Sequence, residues 1–232
     1  CSTNSANKPY KVFHYNEDVG ITSLDPAFAS DQSNIWTVSQ IYEGLIELDS
    51  SLLPKPCLAK SYQLLDSGKL LRFEINTQIR FHINQCFGNQ YSRYLSAKDV
   101  EYSFNRLMDP KTASKGAWIF NGKIDSELIN TNHPLRPFKA IGDSIFELRL
   151  NKAFAPILAL LAMPYCAIIP LGAVEYYGKD YPTMGWECYG NPAAQPAVTS
   201  YYMAAGNLVL RNGAVSEDMS RYHSLNSTTD LF

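Results

Sequence analysis

The sequence predicts an α/β or α+β lobe, and three observations carry that prediction. Short strand-like and helix-like segments interleave along the 232 residues without the regular βαβ alternation of a doubly wound sheet. Apolar residues make up 46% of the chain and charged residues 18%, which is enough to bury a core and too little charge for wholesale disorder. The length suggests one or two domains at about 150 residues each.

The elements follow in order. Residues 11–15 are a short β-rich run containing Val12 and Phe13, and Leu24-Asp25-Pro26 is a turn signal. Ser33 reads as the N-cap of a helix through Leu45, with Ile35, Val38, Ile41, Tyr42 and Leu45 on one face and Gly44 near its end. Pro54 and Pro56 mark a connecting stretch ahead of residues 59–64. Leu71, Phe73 and Ile75 alternate with Arg72, Glu74 and Asn76, the period of a half-buried strand. Residues 79–82 continue as a second strand or an extended turn.

Ser96 with Asp99 three residues on predicts a capped helix start, Asp standing in for the usual Glu. Val100, Phe104 and Leu107 form the apolar stripe of that helix, and Asp109-Pro110 stops it. Residues 138–141 and 145–150 read as a hairpin around Gly142-Asp143-Ser144. A short apolar helix over 156–163, a buried strand over 166–169 and a helix over 171–177 ending at Gly178 complete the regular part. Composition shifts near Tyr181; residues 191–200 are Ala/Pro-rich and 213–232 are polar with weak periodicity.

Several functions are disfavoured at this point. Lys+Arg number 20 against 22 Asp+Glu, a net charge of −2, so the footprint of a nucleic-acid binder is missing. The longest apolar candidate for a membrane span, residues 153–170, is broken by Pro156 and Pro164. His14, His82, His133 and His223 are far apart, and Cys57, Cys86, Cys166 and Cys188 show no C-x-x-C spacing, so neither a metal site nor a metal cofactor is expected. No nucleophile elbow, P-loop or dinucleotide fingerprint occurs. Asp99 and Glu101 sit beside a helix start, where a carboxylate favours the positive end of the dipole, and read as structural. No enzyme is expected. The 15 Tyr, 11 Phe and 3 Trp either fill the core or line an aromatic cleft.

Cys1 followed by the polar stretch Ser2, Thr3, Asn4, Ser5, Ala6 and Asn7 looks like the start of a mature bacterial lipoprotein, with a lipid on Cys1 and residues 1–8 as a tether.

Ordered segments carry a more specific resemblance. Ser23-Leu24-Asp25-Pro26-Ala27, Tyr42-Glu43-Gly44-Leu45, Pro56-Cys57-Leu58-Ala59, Ile79-Arg80-Phe81-His82, the run from Leu95 to Arg106, Asp109-Pro110-Lys111-Thr112 and Met163-Pro164-Tyr165 appear in sequence. Together they resemble the family 5 extracellular solute-binding proteins, the peptide-, dipeptide- and nickel-binding receptors of ABC importers, over residues 9–180. The chain departs from the family pattern where Ile83-Asn84 follows His82 and where Gly185-Trp186-Glu187 follows Tyr181.

The resemblance implies a type II (cluster C) periplasmic binding protein lobe with a mixed β-sheet, the second lobe missing. Residues 9–48 and 166–212 would form the first-lobe core, 49–165 its inserted subdomain, and 213–232 an irregular tail. It implies a ligand, an oligopeptide or similar small solute, bound by Tyr15, Asn16 and Glu17 after the first strand and by Trp118 and Phe120 after Asp109-Pro110. Read from the residues alone, Glu17 is more simply a solvated loop carboxylate, and Trp118 is equally a core side chain. The implied partners are an ABC permease and, through Cys1, a bacterial membrane at the periplasm or cell surface. The alternative is a non-transport interaction module or vestigial lobe without a ligand.

Overall fold

A computed structural model describes residues 12–15, 21–81, 84–90, 92–178, 181, 200–204 and 207–211. In chain order its elements are β1 (Val12–Tyr15), α1 (Gln32–Ile41), β2 (Ile46–Leu48), β3 (Pro54–Pro56), β4 (Ala59–Leu65), β5 (Leu70–Ile75), α2 (Ala97–Met108), β6 (Phe138–Ile141), β7 (Ile145–Arg149), α3 (Ile157–Leu161), α4 (Ala173–Tyr177), β8 (Ser200–Ala204) and β9 (Asn207–Arg211). The chain divides into a terminal unit, Cys1–Ile21 with Ala193–Phe232, and a central unit, Thr22–Pro192. This division differs from the expected one, because residues 9–48 and 166–212 are each split between the two units. The tether, Cys1 and residues 213–232 lie outside the described residues.

The terminal unit holds a three-stranded sheet in the order β1-β9-β8. Val12 pairs with Arg211 and Tyr15 with Leu208, and β8 folds back on β9 from Ser200 opposite Arg211 to Ala204 opposite Asn207.

The central unit is built on a four-stranded sheet in the order β4-β5-β7-β6, with β2-β3 as a separate hairpin. Every ladder among the described strands is antiparallel, where the resemblance implied a mixed sheet. The alternation read in β5 holds: Leu71, Phe73 and Ile75 are buried while Arg72 and Glu74 face solvent. The hairpin of β6 and β7 also forms as expected, with Ile141 opposite Ile145.

Helix α2 packs its apolar stripe on this sheet. Val100, Phe104 and Leu107 are buried. The Phe104 ring lies 5.3, 5.6 and 5.5 Å from those of Phe120, Phe138 and Phe146, and Phe120 and Phe138 meet edge-on at 5.0 Å. Aromatic contacts of this kind add about 0.5–1.5 kcal/mol each beyond burial. These phenylalanines are therefore core.

Both expected boundaries of α1 move, each for a physical reason. Helix α1 is capped by Asp31 rather than Ser33, since the Asp31 carboxylate accepts the Asn34 N–H at 3.0 Å. The same helix stops at Ile41, not Leu45, because the backbone beyond it is used elsewhere. The Glu43 carbonyl accepts Ile168 N–H at 2.9 Å, and the Gly44 carbonyl accepts Leu58 N–H at 3.1 Å. A Cβ on Gly44 would sit 3.2 Å from the Leu161 carbonyl oxygen, so a side chain there would crowd this junction. Residues 166–169 are not a strand: a 3₁₀ turn spans Pro164–Cys166, and one isolated bridge joins Gly44 and Ala167. Among residues 79–82 only an isolated bridge from Arg80 to Tyr94 forms, and His82 lies outside the described residues.

Candidate functional site

The polar residues of α2 decide how much of the family-like sequence is available to a ligand. Asp99, Ser103 and Arg106 recur at i, i+4 and i+7, a stripe beside the apolar one. Asp99 is fully buried. Its carboxylate accepts the Ser96 N–H and hydroxyl, each at 2.9 Å, the Leu171 N–H at 2.8 Å, and both arms of the Arg93 guanidinium. Arg93 in turn lies over the rings of Phe81 and Phe87. The Ser103 hydroxyl donates to the Asp99 carbonyl at 2.7 Å and accepts the Ile169 N–H at 2.9 Å.

Arg106 forms a two-armed pair with Asp25 at 2.9 and 2.5 Å. Burial works against the Arg106 charge, but the hydrogen-bonded Asp25 carboxylate outweighs it and holds the proton more firmly than usual. Asp25 also caps the 3₁₀ turn Pro26–Phe28 by accepting the Ala27 N–H at 3.0 Å. From another side of α2, Glu101 accepts the Ala140 N–H at 2.7 Å and pairs with Arg136. The Tyr102 hydroxyl donates to Glu175, and burial followed by that carboxylate raises its pKa. The side chains that stand out in Ser23–Ala27 and Leu95–Arg106 thus join α2 to four neighbouring segments, and Asp99, Ser103 and Arg106 are committed to structure.

Trp118 is differently placed. It sits in the 3₁₀ turn Lys115–Ile119 and is 46% exposed. That turn is fixed from both ends. Ser114 Oγ accepts the Gly116 N–H at 3.0 Å and donates to the Ala27 carbonyl at 2.5 Å, while Gly116 lies against the Tyr165 ring. Lys123 donates to the Trp118 carbonyl at 3.0 Å, with its ammonium 5.9 Å from the indole centroid. The result is a half-exposed aromatic surface on a pinned turn, suited to stacking on an apolar or planar group.

Phe120, expected beside it as a second ligand contact, is wholly buried among Phe104 and Phe138 and offers a ligand no surface. The expectation is corrected: in this short turn Trp118 points outward and Phe120 anchors the turn in the core. Tyr15 is the last residue of β1 in the terminal unit, and Asn16 and Glu17 lie outside the described residues.

A shallow pocket of about 230 Å³ opens between α1, the β2-β3 hairpin and the turn after α3, lined by Tyr42, Glu43, Glu47, Cys57, Met163 and Pro164 among others. The Cys57 thiol there is pushed up to about 12, by burial first and then by Glu43 and Glu47. It stays protonated at neutral pH and is a poor nucleophile. Burial pushes the Cys166 thiol up as well. Among the described residues no group of three His, Cys, Asp or Glu side chains is placed to hold a metal ion, and no helix is long and apolar enough to cross a membrane.

Taken together, these contacts hold one half-exposed aromatic, Trp118, on the surface of the central unit. The profile of the bacterial extracellular solute-binding proteins, family 5 (Middle), matches residues 54–202. The chain belongs to that family. It is 25% identical over 190 residues to the probable deoxycholate-binding periplasmic protein YgiS of Escherichia coli K12, covering 77% of this chain and 33% of the relative. It is 26% identical over 159 residues to the glutathione-binding protein GsiB of the same strain, covering 68% and 27%.

Among solved structures, it is similar to the substrate-binding domain of an oligopeptide ABC transporter from Bacillus anthracis (TM-score 0.63, 26% identity, 72% of this chain and 32% of that one). It is also similar to Listeria monocytogenes OppA bound to peptide (TM-score 0.60, 25% identity, 70% and 31%). The chain therefore spans about a third of the length of the relatives it matches.

Proposed function

We propose that this chain belongs to the substrate-binding component of an ABC importer, capturing oligopeptides or similar small solutes outside the cytoplasm and handing them to a membrane permease. One observation carries the reading. The residues that match the family profile form a lobe similar to that of two oligopeptide-transport proteins, one of them solved with peptide bound. In this reading Trp118 stacks on a ligand side chain. The work is binding rather than catalysis. In this reading the protein works at the periplasm or the cell surface.

Thermal unfolding with and without short peptides tests this. A ligand that binds only the native state adds RT ln(1 + [L]/Kd), about 2.7 kcal/mol at a hundredfold excess over Kd. A saturable rise in Tm with peptide, weakened about tenfold in apparent affinity by Trp118→Ala, is the expected result. A folded chain whose Tm is unmoved by peptides of two to about six residues and by glutathione would instead favour a lobe that serves as an interaction module.

A further inference from the structure

An exposed indole by itself favours a cationic ligand, because the negative face of its π-system attracts positive charge. The surroundings of Trp118 reverse that preference. Lys115 is the first residue of the 3₁₀ turn Lys115–Ile119 and Trp118 the fourth. Residues three apart in a 3₁₀ helix are eclipsed, so these two side chains leave the same face. Lys123 comes from the chain that follows. Its ammonium donates to the Trp118 carbonyl at 3.0 Å and lies 5.9 Å from the indole centroid and 5.3 Å from that of Phe154. The Asn151 N–H donates to the Lys123 carbonyl at 2.8 Å, which brings the segment carrying Lys152 and Phe154 alongside.

These charges are not neutralised within the chain. The ion pairs among the described residues use Lys55, Lys60 and Lys98, but not Lys115, Lys123 or Lys152. Lys115 meets a neutral partner, the Ser30 hydroxyl at 3.4 Å. The carboxylates nearest in sequence are engaged in turns: Asp109 accepts the Lys111 N–H at 2.9 Å and Asp125 the Glu127 N–H at 3.2 Å. An ammonium carries several donors, and Lys123 gives one to the Trp118 carbonyl and keeps the others. Half-buried against two rings and held by that bond, it has less freedom to lose on meeting an anion than a loose surface lysine.

We infer that the Trp118 surface selects solutes that carry a negatively charged group next to the planar or apolar group that stacks, with Lys123 and Lys115 receiving the charge. The inference rests on Trp118 being a ligand contact and adds the chemical class of the ligand. A peptide with an acidic residue beside an aromatic one matches both halves of this surface. A basic peptide meets an indole that already faces an ammonium, and like charge against like disfavours it.

Titration calorimetry of the chain with Ala-Phe-Glu, Ala-Phe-Gln and Ala-Phe-Lys at low salt tests this. The peptides share their termini and their ring, so only the side-chain charge differs. The expected order of affinity is Glu over Gln over Lys, with Ala-Phe-Glu bound about fivefold more tightly than Ala-Phe-Gln, the upper end for exposed ion pairs. The preference should vanish at about 1 M salt, where the Debye length falls to about 3 Å. Lys123→Gln keeps a donor for the Trp118 carbonyl while removing the charge, and should reduce the preference about twofold; adding Lys115→Gln should abolish it. Equal binding of the peptides by the wild type, tighter binding of Ala-Phe-Lys, or a preference that survives both substitutions would overturn the inference and leave the receptor reading standing. Failure of the folded chain to bind any of the peptides would overturn both. If Lys123→Gln does not fold, Lys115→Gln at its exposed position decides alone: it should lower the preference about twofold, and an unchanged preference would overturn the inference.

Discussion

Asp99→Ala is expected to lose about 3–5 kcal/mol of stability, the usual cost of removing one partner of a buried ion pair. Asp99 is fully buried and gathers Arg93, Ser96 and the Leu171 N–H. Truncation leaves the Arg93 guanidinium, itself packed over Phe81 and Phe87, without its counter-charge. It also removes the acceptor for Leu171 N–H ahead of α4. Asp99→Asn keeps the shape but reverses part of the donor–acceptor pattern, so it should fall between wild type and Ala. Urea unfolding followed by far-UV circular dichroism measures both, and a loss below about 1 kcal/mol for Asp99→Ala would show that the hub is dispensable.

Gly116→Ala is the second large effect. The added Cβ would lie 2.5, 2.6 and 2.8 Å from three atoms of Tyr165, closer than side chains approach, and Tyr165 is itself buried. Overpacking of this kind costs about 1–3 kcal/mol and sometimes more. Because Gly116 opens the turn that carries Trp118, the indole emission should shift along with the stability. The double variant Gly116→Ala with Tyr165→Ala should be less destabilised than the sum of its parts, since the second change removes the ring the first one strikes. Strict additivity would mean that the two residues do not meet.

Much of the fold was legible because its determinants are local. The alternation in β5, the apolar stripe of α2, the Asp109-Pro110 stop and the turn at Gly142 each follow from a few neighbouring residues. What could not be read from local pattern depends on distant chain. Ser33 looked like a cap, but Asp31 reaches the Asn34 N–H. Residues 43–45 continue a helical pattern, yet the Glu43 carbonyl accepts the Ile168 N–H, that of Gly44 the Leu58 N–H, and that of Leu45 the Cys57 and Ala59 N–H groups. Of the candidate ligand residues, Trp118 and Phe120 are both large aromatics two positions apart, and sequence offered nothing to say which one the core would take. The polar stripe Asp99-Ser103-Arg106 is legible from its helical spacing, but a carboxylate at a helix start is equally accounted for by the dipole, so the spacing alone does not mark Asp99 as a hub. The motif marked the family correctly, but what it builds is the frame.

That frame makes one prediction without any mutation. The N–H groups of Leu171, Ile169 and Ala140 donate to Asp99, Ser103 and Glu101, so they are held by α2 side chains. In native-state amide exchange they should open with the same free energy as the α2 core amides of Phe104 and Leu107, as parts of one cooperative unit. Rapid exchange at Leu171, Ile169 and Ala140 while α2 stays protected would contradict a lobe joined together through this helix.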